Sequence, residues 1–151
     1  MSNHIIVFIF AVLTLFSAVV CEIITVDNCA PNKDKCTINE VRIDPCKEAA
    51  TNKPCKIKRG KSGNIEIDYT PHFDSDTLSA KATYLGQLLP NMETDACLTT
   101  SCPVVSGNKK TYTYQLLVDR KFPSGIFDVN WSLTGQNDDD QCCAVMKIFL
   151  K

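Results

Sequence analysis

The chain has 151 residues and a formal net charge of −1, with 16 Lys and Arg against 17 Asp and Glu. That length suits a single domain, and so even a balance gives no global attraction toward nucleic acid or an anionic membrane. The cysteine count of nine directs attention to the redox compartment.

Ile5 to Phe16 is apolar apart from Thr14, and Ser17 to Cys21 supplies small residues. This anatomy predicts a signal peptide over residues 1–21, cleaved after Cys21, with residues 22–151 as the mature domain. The apolar stretch ends near Val20, short of the ~20 residues of a comfortable membrane span. Removing residues 1–21 takes His4 with it and leaves His72 as the only histidine. Cys29, Cys36, Cys46, Cys55, Cys97, Cys102, Cys142 and Cys143 remain, an even number that reads as disulfides in a secreted chain.

The mature chain opens on a short β-prone run, Ile23 to Val26, followed by a turn at Ala30 to Asp34. Cys36, Ile38, Val41 and Ile43 mark a strand. The step from Ile38 to Val41 breaks alternation and predicts a bulge, and Asp44-Pro45-Cys46 ends the strand. Lys47 to Lys53 is a polar loop with room for one helical turn at Lys47 to Ala50. From Pro54-Cys55 a basic segment (Lys56, Lys58, Arg59, Lys61) turns at Gly60 and Gly63. Ile65, Ile67 and Tyr69 then alternate with Glu66, Asp68 and Thr70, a half-buried strand against which later strands can be laid.

After a turn at Pro71 to Asp76, Leu78, Ala80, Ala82 and Tyr84 share one strand face. Gly86 to Met92 is irregular and unusually apolar for a connection. Cys97 and Cys102 bracket a small loop. Tyr112, Tyr114, Leu116 and Val118 share a face, and a turn with an aromatic follows at Lys121-Phe122-Pro123. The clearest strand places Phe127, Val129, Trp131 and Leu133 on one side and Asp128, Asn130, Ser132 and Thr134 on the other. Gln136 to Asp140 is an acidic hairpin tip, and Met146, Ile148 and Leu150 close the sheet. Seven or eight strands without a convincing helix predict an all-β sandwich. Asn130-Trp131-Ser132 is a glycosylation sequon on an outward face.

Catalysis finds little support. A nucleophile needs a neighbouring base, and His72 in a turn is the only candidate, so no catalytic residue is assigned. Cys97 and Cys102 have no second pair to complete a zinc site, and Asp138 to Asp140 read as a solvated tip, so no metal or cofactor is assigned. The basic segment reads as a solvated strand end.

Several segments together carry a family resemblance: Asp27-Asn28-Cys29, Val41 to Cys46, Pro54-Cys55 to Gly60, Asp95-Ala96-Cys97 to Cys102-Pro103, Tyr112-Thr113-Tyr114, and Trp131-Ser132-Leu133. In this order they resemble the Niemann-Pick type C2 branch of the lipid-recognition (ML) domain family, to which group 2 mite allergens also belong. The resemblance spans the mature chain. It implies an immunoglobulin-like sandwich with an internal lipid cavity, and disulfides Cys46–Cys55, Cys97–Cys102 and Cys29 with Cys143. Cys36 and Cys142 are additions to the family pattern and form a candidate fourth bridge. Cys29 and Cys36 remain interchangeable on sequence grounds, although neighbouring Cys142 and Cys143 point to opposite faces and so take different partners.

The implied function is a secreted, non-enzymatic lipid-binding and transfer protein for one sterol (cholesterol-like) or long-chain fatty acid, acting outside the cell or in a lysosome-like compartment. It would make transient membrane or receptor contact and bind no nucleic acid. The lipid site expected on this basis comprises Leu89, Met92, Tyr114, Leu116, Val118, Phe122, Pro123, Val129 and Trp131, with Met92, Val118, Phe122 and Pro123 at the gate. Leu85, Leu88, Leu89, Met92, Tyr114, Leu116, Val118, Phe127, Val129 and Trp131 would equally make a dense core. Large apolar groups on the connections Leu88 to Met92 and Lys121 to Pro123 favour a cavity. The alternative functions are innate-immune recognition of a lipid or glycolipid and, without a cavity, a disulfide-rich inhibitor.

Overall fold

The computed structural model describes residues 22–151; the expected signal peptide lies outside the described residues. The strands are β1 (Glu22–Ile24), β2 (Asp27–Asn28), β3 (Cys36–Asp44), β4 (Cys55–Ile57), β5 (Ser62–Pro71), β6 (Ser79–Tyr84), β7 (Gln87–Leu88), β8 (Lys110–Leu117), β9 (Gly125–Thr134) and β10 (Gln141–Leu150). Three single-turn 3-10 helices occupy Lys33–Lys35, Ala49–Thr51 and Ala96–Leu98.

One sheet has the order β1-β3-β5-β8 and the other the order β2-β10-β9-β6-β7. All pairings are antiparallel except that of β4, which lies parallel to β10. Because β9 pairs with β10 along its whole length, β2 and β4 share the other edge of β10 in succession. The sheets face each other as a sandwich. The strand count exceeds the seven or eight expected because the first β-prone run divides. Its front half, β1, joins one sheet and β2 joins the other, and two- or three-residue strands such as β4 and β7 are too short to show a period.

Alternation does the sorting that the sequence implies. Val41, Ile43, Ile65, Ile67, Tyr69 and Tyr112 of one sheet are buried against Ala80, Ala82, Trp131, Leu133, Met146 and Ile148 of the other. The expected irregularity in β3 falls between Ile38 and Glu40, where the register to β5 shifts. Gly63 is a departure. It is not a turn residue but a buried position inside β5, and a Cβ there would come 3.1 Å from Cδ1 of Ile57. Its bareness lets β4 pack against β5. Leu85 and Leu88 also leave the core list, being 76% and 62% exposed. Asp138 and Asp139 are exposed, but Asp140 is not a solvated tip residue: it is buried and paired to Lys35 Nζ at 2.9 Å.

Four disulfides join Cys29 to Cys143, Cys36 to Cys142, Cys46 to Cys55 and Cys97 to Cys102. Cys36–Cys142 crosses from β3 to β10, and Cys46–Cys55 connects the far end of β3 to β4, so both join one sheet to the other.

On the outer face of the first sheet, the Arg42 guanidinium donates to Asp68, Glu40 and Glu66, with Nη2 3.0 Å from Asp68 Oδ1. Lys109 Nζ, 2.8 Å from Oδ2, and the Thr111 hydroxyl, 2.7 Å from Oδ1, complete the Asp68 carboxylate. Burial alone would push that carboxyl up, but its hydrogen bonds from Arg42, Lys109 and Thr111 hold it well below the usual carboxylate range. A lowered folded-state pKa stabilises the fold above the unfolded value, and that contribution is lost as pH falls through the folded value. Asp68→Asn should therefore cost about 2–3 kcal/mol. In urea melts the deficit should be constant from pH 7 down to about 5 and shrink below about 4; a deficit that grew on acidification would contradict the pairing.

Candidate functional site

The apolar faces of the two sheets do not close equally along their length. At one end Tyr112, Tyr114 and Trp131 form an aromatic block, with the Tyr114 and Trp131 rings 5.1 Å apart and Tyr112 stacked on Tyr114 at 6.5 Å. Burial raises the Tyr112 hydroxyl above its ordinary range. Tyr69, deep in the same sheet, has its hydroxyl 3.2 Å from Thr100 Oγ1.

Toward the other end the packing loosens around a small, partly open cavity of about 30 Å³. The first sheet and its continuation supply Leu116 and Val118; the second supplies Tyr84, Phe127, Val129, Ile148 and Leu150; the connection after β7 supplies Leu89. Every atom facing this space is apolar. Such a volume is about that of one water molecule, whereas small-molecule sites usually need ~300–1,000 Å³.

Apart from a hollow of about 540 Å³ against Asn64 to Glu66, Thr99 and Thr113 to Gln115, two spaces adjoin this one. A lateral cleft of about 270 Å³ runs between β8 and the segment after β7, lined by Leu89 to Met92, Tyr114 to Leu117, Asp119 and Phe122. A third hollow of about 240 Å³ lies outside them, against Tyr84, Pro90, Asp119, Lys121, Phe122 and Pro123. Leu89, Leu116 and Phe122 border both the internal cavity and the cleft. They are a partition of three apolar side chains, and Phe122 alone touches all three spaces. The Phe122 ring packs edge-on to Tyr84 at 5.4 Å, and Tyr84 packs in the same way on Phe127 at 6.0 Å.

The nine expected lipid-site residues thus separate by position. Leu89, Leu116, Val118, Phe122 and Val129 line the internal cavity, Met92 and Tyr114 line the cleft, and Pro123 borders the outer hollow. Trp131 borders none of these spaces; it is 1% exposed, in the aromatic block. The nine-residue set left out the wall residues Tyr84, Phe127, Ile148 and Leu150. Alternation put all four on the inward faces of their strands, but it does not say which end of a face is left unfilled.

The surroundings of the opening are mixed. Leu85, Leu88 and Leu117 are exposed apolar groups beside it. The basic segment is more structured than a solvated strand end: Lys56 pairs with Glu48 at 3.3 Å, and Arg59 Nη1 donates to the Phe122 carbonyl at 3.0 Å. His72 is exposed, with Nε2 3.0 Å from Thr37 Oγ1, remote in the fold from the cavity walls. Among the described residues no group of three or more His, Cys, Asp or Glu is placed to hold a metal ion, and no helix is long and apolar enough to cross a membrane.

Comparison with known proteins places this geometry. An ML domain family model matches residues 24–150. The MD-2-related lipid-recognition protein of Manduca sexta is 32% identical over 112 residues, covering 72% of this chain and 71% of that one. The NPC intracellular cholesterol transporter 2 of Sus scrofa is 27% identical over 144 residues, covering 92% and 91%. Among solved structures, a Niemann-Pick type C2 protein from the Japanese carpenter ant superposes with a TM-score of 0.73 at 18% identity, covering 84% of this chain and 99% of that one. The match across nearly all described residues, together with two facing sheets around an apolar space, shows that the chain belongs to the ML domain family.

Proposed function

We propose that this protein is a secreted, non-enzymatic carrier that takes one sterol or long-chain fatty acid between its sheets, apolar tail inward. The observation that carries the reading is that a wholly apolar cavity is divided from the neighbouring cleft only by the side chains of Leu89, Leu116 and Phe122. The apolar cavity is too small for such a ligand as it stands. Binding therefore requires the three partition side chains to move and the sheets to part, so that cleft and cavity become one site. Each methylene then buried contributes about 0.8 kcal/mol, which gives affinity for length and weak discrimination of shape. The names of two relatives, a lipid-recognition protein and a cholesterol transporter, support the class of ligand.

A second reading, recognition of a microbial lipid or glycolipid in immunity, draws on the exposed Leu85, Leu88 and Leu117 beside the opening, an apolar patch suited to a receptor. Asn130 is exposed on the outer face of β9, as a glycosylated residue of a secreted protein would be.

Native mass spectrometry of the protein secreted from eukaryotic cells, with solvent extraction, should find a one-to-one adduct with the mass of a sterol or fatty acid. A bare mass that stays bare after incubation with both lipids would overturn the carrier reading, and preference for bacterial glycolipid over sterol would favour the second. Leu116→Trp, whose indole can extend into the cleft as well as the cavity, should lower affinity more than about tenfold, or ~1.4 kcal/mol. Phe122→Asp should impair uptake by placing a charge in the apolar partition. Wild-type uptake and transfer in the Phe122→Asp protein would show that lipid enters elsewhere.

A further inference from the structure

The gate loop is held partly by itself, with Lys121 N donating to Asp119 Oδ1 at 2.8 Å, partly by Ser124 Oγ donating to Leu150 O at 2.9 Å, and partly by a neighbouring turn. Between β8 and β9, residues 118–124 make one internal backbone bond, from Phe122 N to Asp119 O at 3.2 Å. Their other backbone ties run to the turn formed by Lys58 to Lys61. Gly60 N donates to Val118 O at 2.6 Å, and Val118 N donates to Lys61 O at 3.1 Å. Arg59 then reaches over the turn, its Nη1 donating to Phe122 O at 3.0 Å. The turn is itself fixed to the end of the second sheet, because Arg59 N donates to Lys151 O at 2.9 Å and Lys151 N to Ile57 O at 3.2 Å.

Two features show that this contact is built closely. Gly60 has φ +78, a left-handed conformation that favours glycine. A Cβ at Gly60 would also come 2.8 Å from Arg120 Nε and 3.0 Å from Arg120 Cγ, so the Arg120 side chain lies directly across the turn. Arg59 thus bonds from the turn to the gate loop, while Arg120 of the loop packs back across the turn. An arginine can reach a carbonyl at the rim with a planar, directed donor while its stem covers apolar surface, which lysine does less well.

From this arrangement we infer that Arg59 is a positioning residue for lipid exchange: by holding the carbonyl of Phe122 it keeps the Phe122 ring in the partition and sets the rate at which the opening forms. The inference rests on the carrier reading above, with entry past Phe122. Arg59 borders neither the cavity nor the cleft. Its removal should therefore speed entry and exit together and leave equilibrium affinity nearly unchanged, unlike removal of a wall residue.

The test uses the full mature protein and two fluorescent probes, cis-parinaric acid and dehydroergosterol, in stopped-flow uptake and release. Arg59→Gln should raise both rates about three- to tenfold, the loss of one charge-assisted hydrogen bond, with affinity within twofold of wild type. Arg59→Lys, which keeps the charge and most of the stem, should fall between the two. Lys58→Gln removes a neighbouring exposed charge and should behave as wild type; acceleration equal to that of Arg59→Gln would overturn the latch in favour of rim charge. Hydrogen exchange supplies a readout that needs no ligand: in Arg59→Gln, amides of residues 118–124 should exchange faster while those of β5 and β9 do not. Probe uptake by wild type with unchanged rates in Arg59→Gln would overturn the latch alone. A wild-type protein that takes up neither probe would overturn the carrier reading and the latch with it.

Discussion

The architecture depends on how β3 is fastened. Its first residue, Cys36, is bonded to Cys142 of β10, and just past its last residue Cys46 is bonded to Cys55 at the start of β4. Both are bonds between sheets, one at each end of the same strand. Cys142 and Cys143 point to opposite faces, so β10 can spend one cysteine across the sandwich and the other on Cys29 beside its own edge. One long side of the sandwich is thereby fixed covalently along its length, and a crosslink spanning more than a hundred residues restricts the unfolded chain strongly.

The opposite side is fastened at one end only. There the loop closed by Cys97–Cys102 hangs from β6, with Ala96 N donating to Leu78 O, and meets the first sheet where Thr100 approaches the Tyr69 hydroxyl. Beyond that point β8 is the free edge of the first sheet and β7, two residues long, is the edge of the second. No disulfide joins them among the described residues. The cleft lies at this unfastened corner. Unequal fastening, more than composition, explains why one end of the core is a solid aromatic block and the other contains unfilled space.

Much of the strand pattern was legible because period-two alternation reports directly on which residues face inward. Ile65, Ile67 and Tyr69, or Val129, Trp131 and Leu133, could be assigned to inward faces from spacing alone, and the bulge in β3 followed from a single broken step. What escaped the sequence depended on distances between segments far apart in the chain. β4 is three residues long and exists because β10 offers an edge; Gly63 looked like a turn glycine because Ile57, which needs its space, is not a neighbour in any local pattern. Asp140 sat in an acidic run that reads as solvated until Lys35 is brought to it. Trp131 and Val129 occupy equivalent positions two residues apart, and only the closing of the sheets at one end separates a core residue from a wall residue.

The same reasoning bears on what the site selects. A cavity sealed on all sides would fix ligand volume through close packing. Here the cleft side is bounded by β8 and the segment after β7, both at sheet edges, and two of the three partition side chains, Leu89 and Phe122, sit on connections. Widening such a slot displaces the end of β8 and the segment after β7, away from the covalently fixed β3–β10 side. Methionine at the cleft adapts its shape readily, and Leu89, Leu116 and Phe122 present no polar side-chain group whose pairing a ligand would have to satisfy. Selectivity then falls to ligand length and to the width to which the corner opens, while the exchange rate falls to whatever restrains the gate. On the proposed carrier reading, affinity would rest on the wall residues and exchange kinetics on the contacts behind the loop.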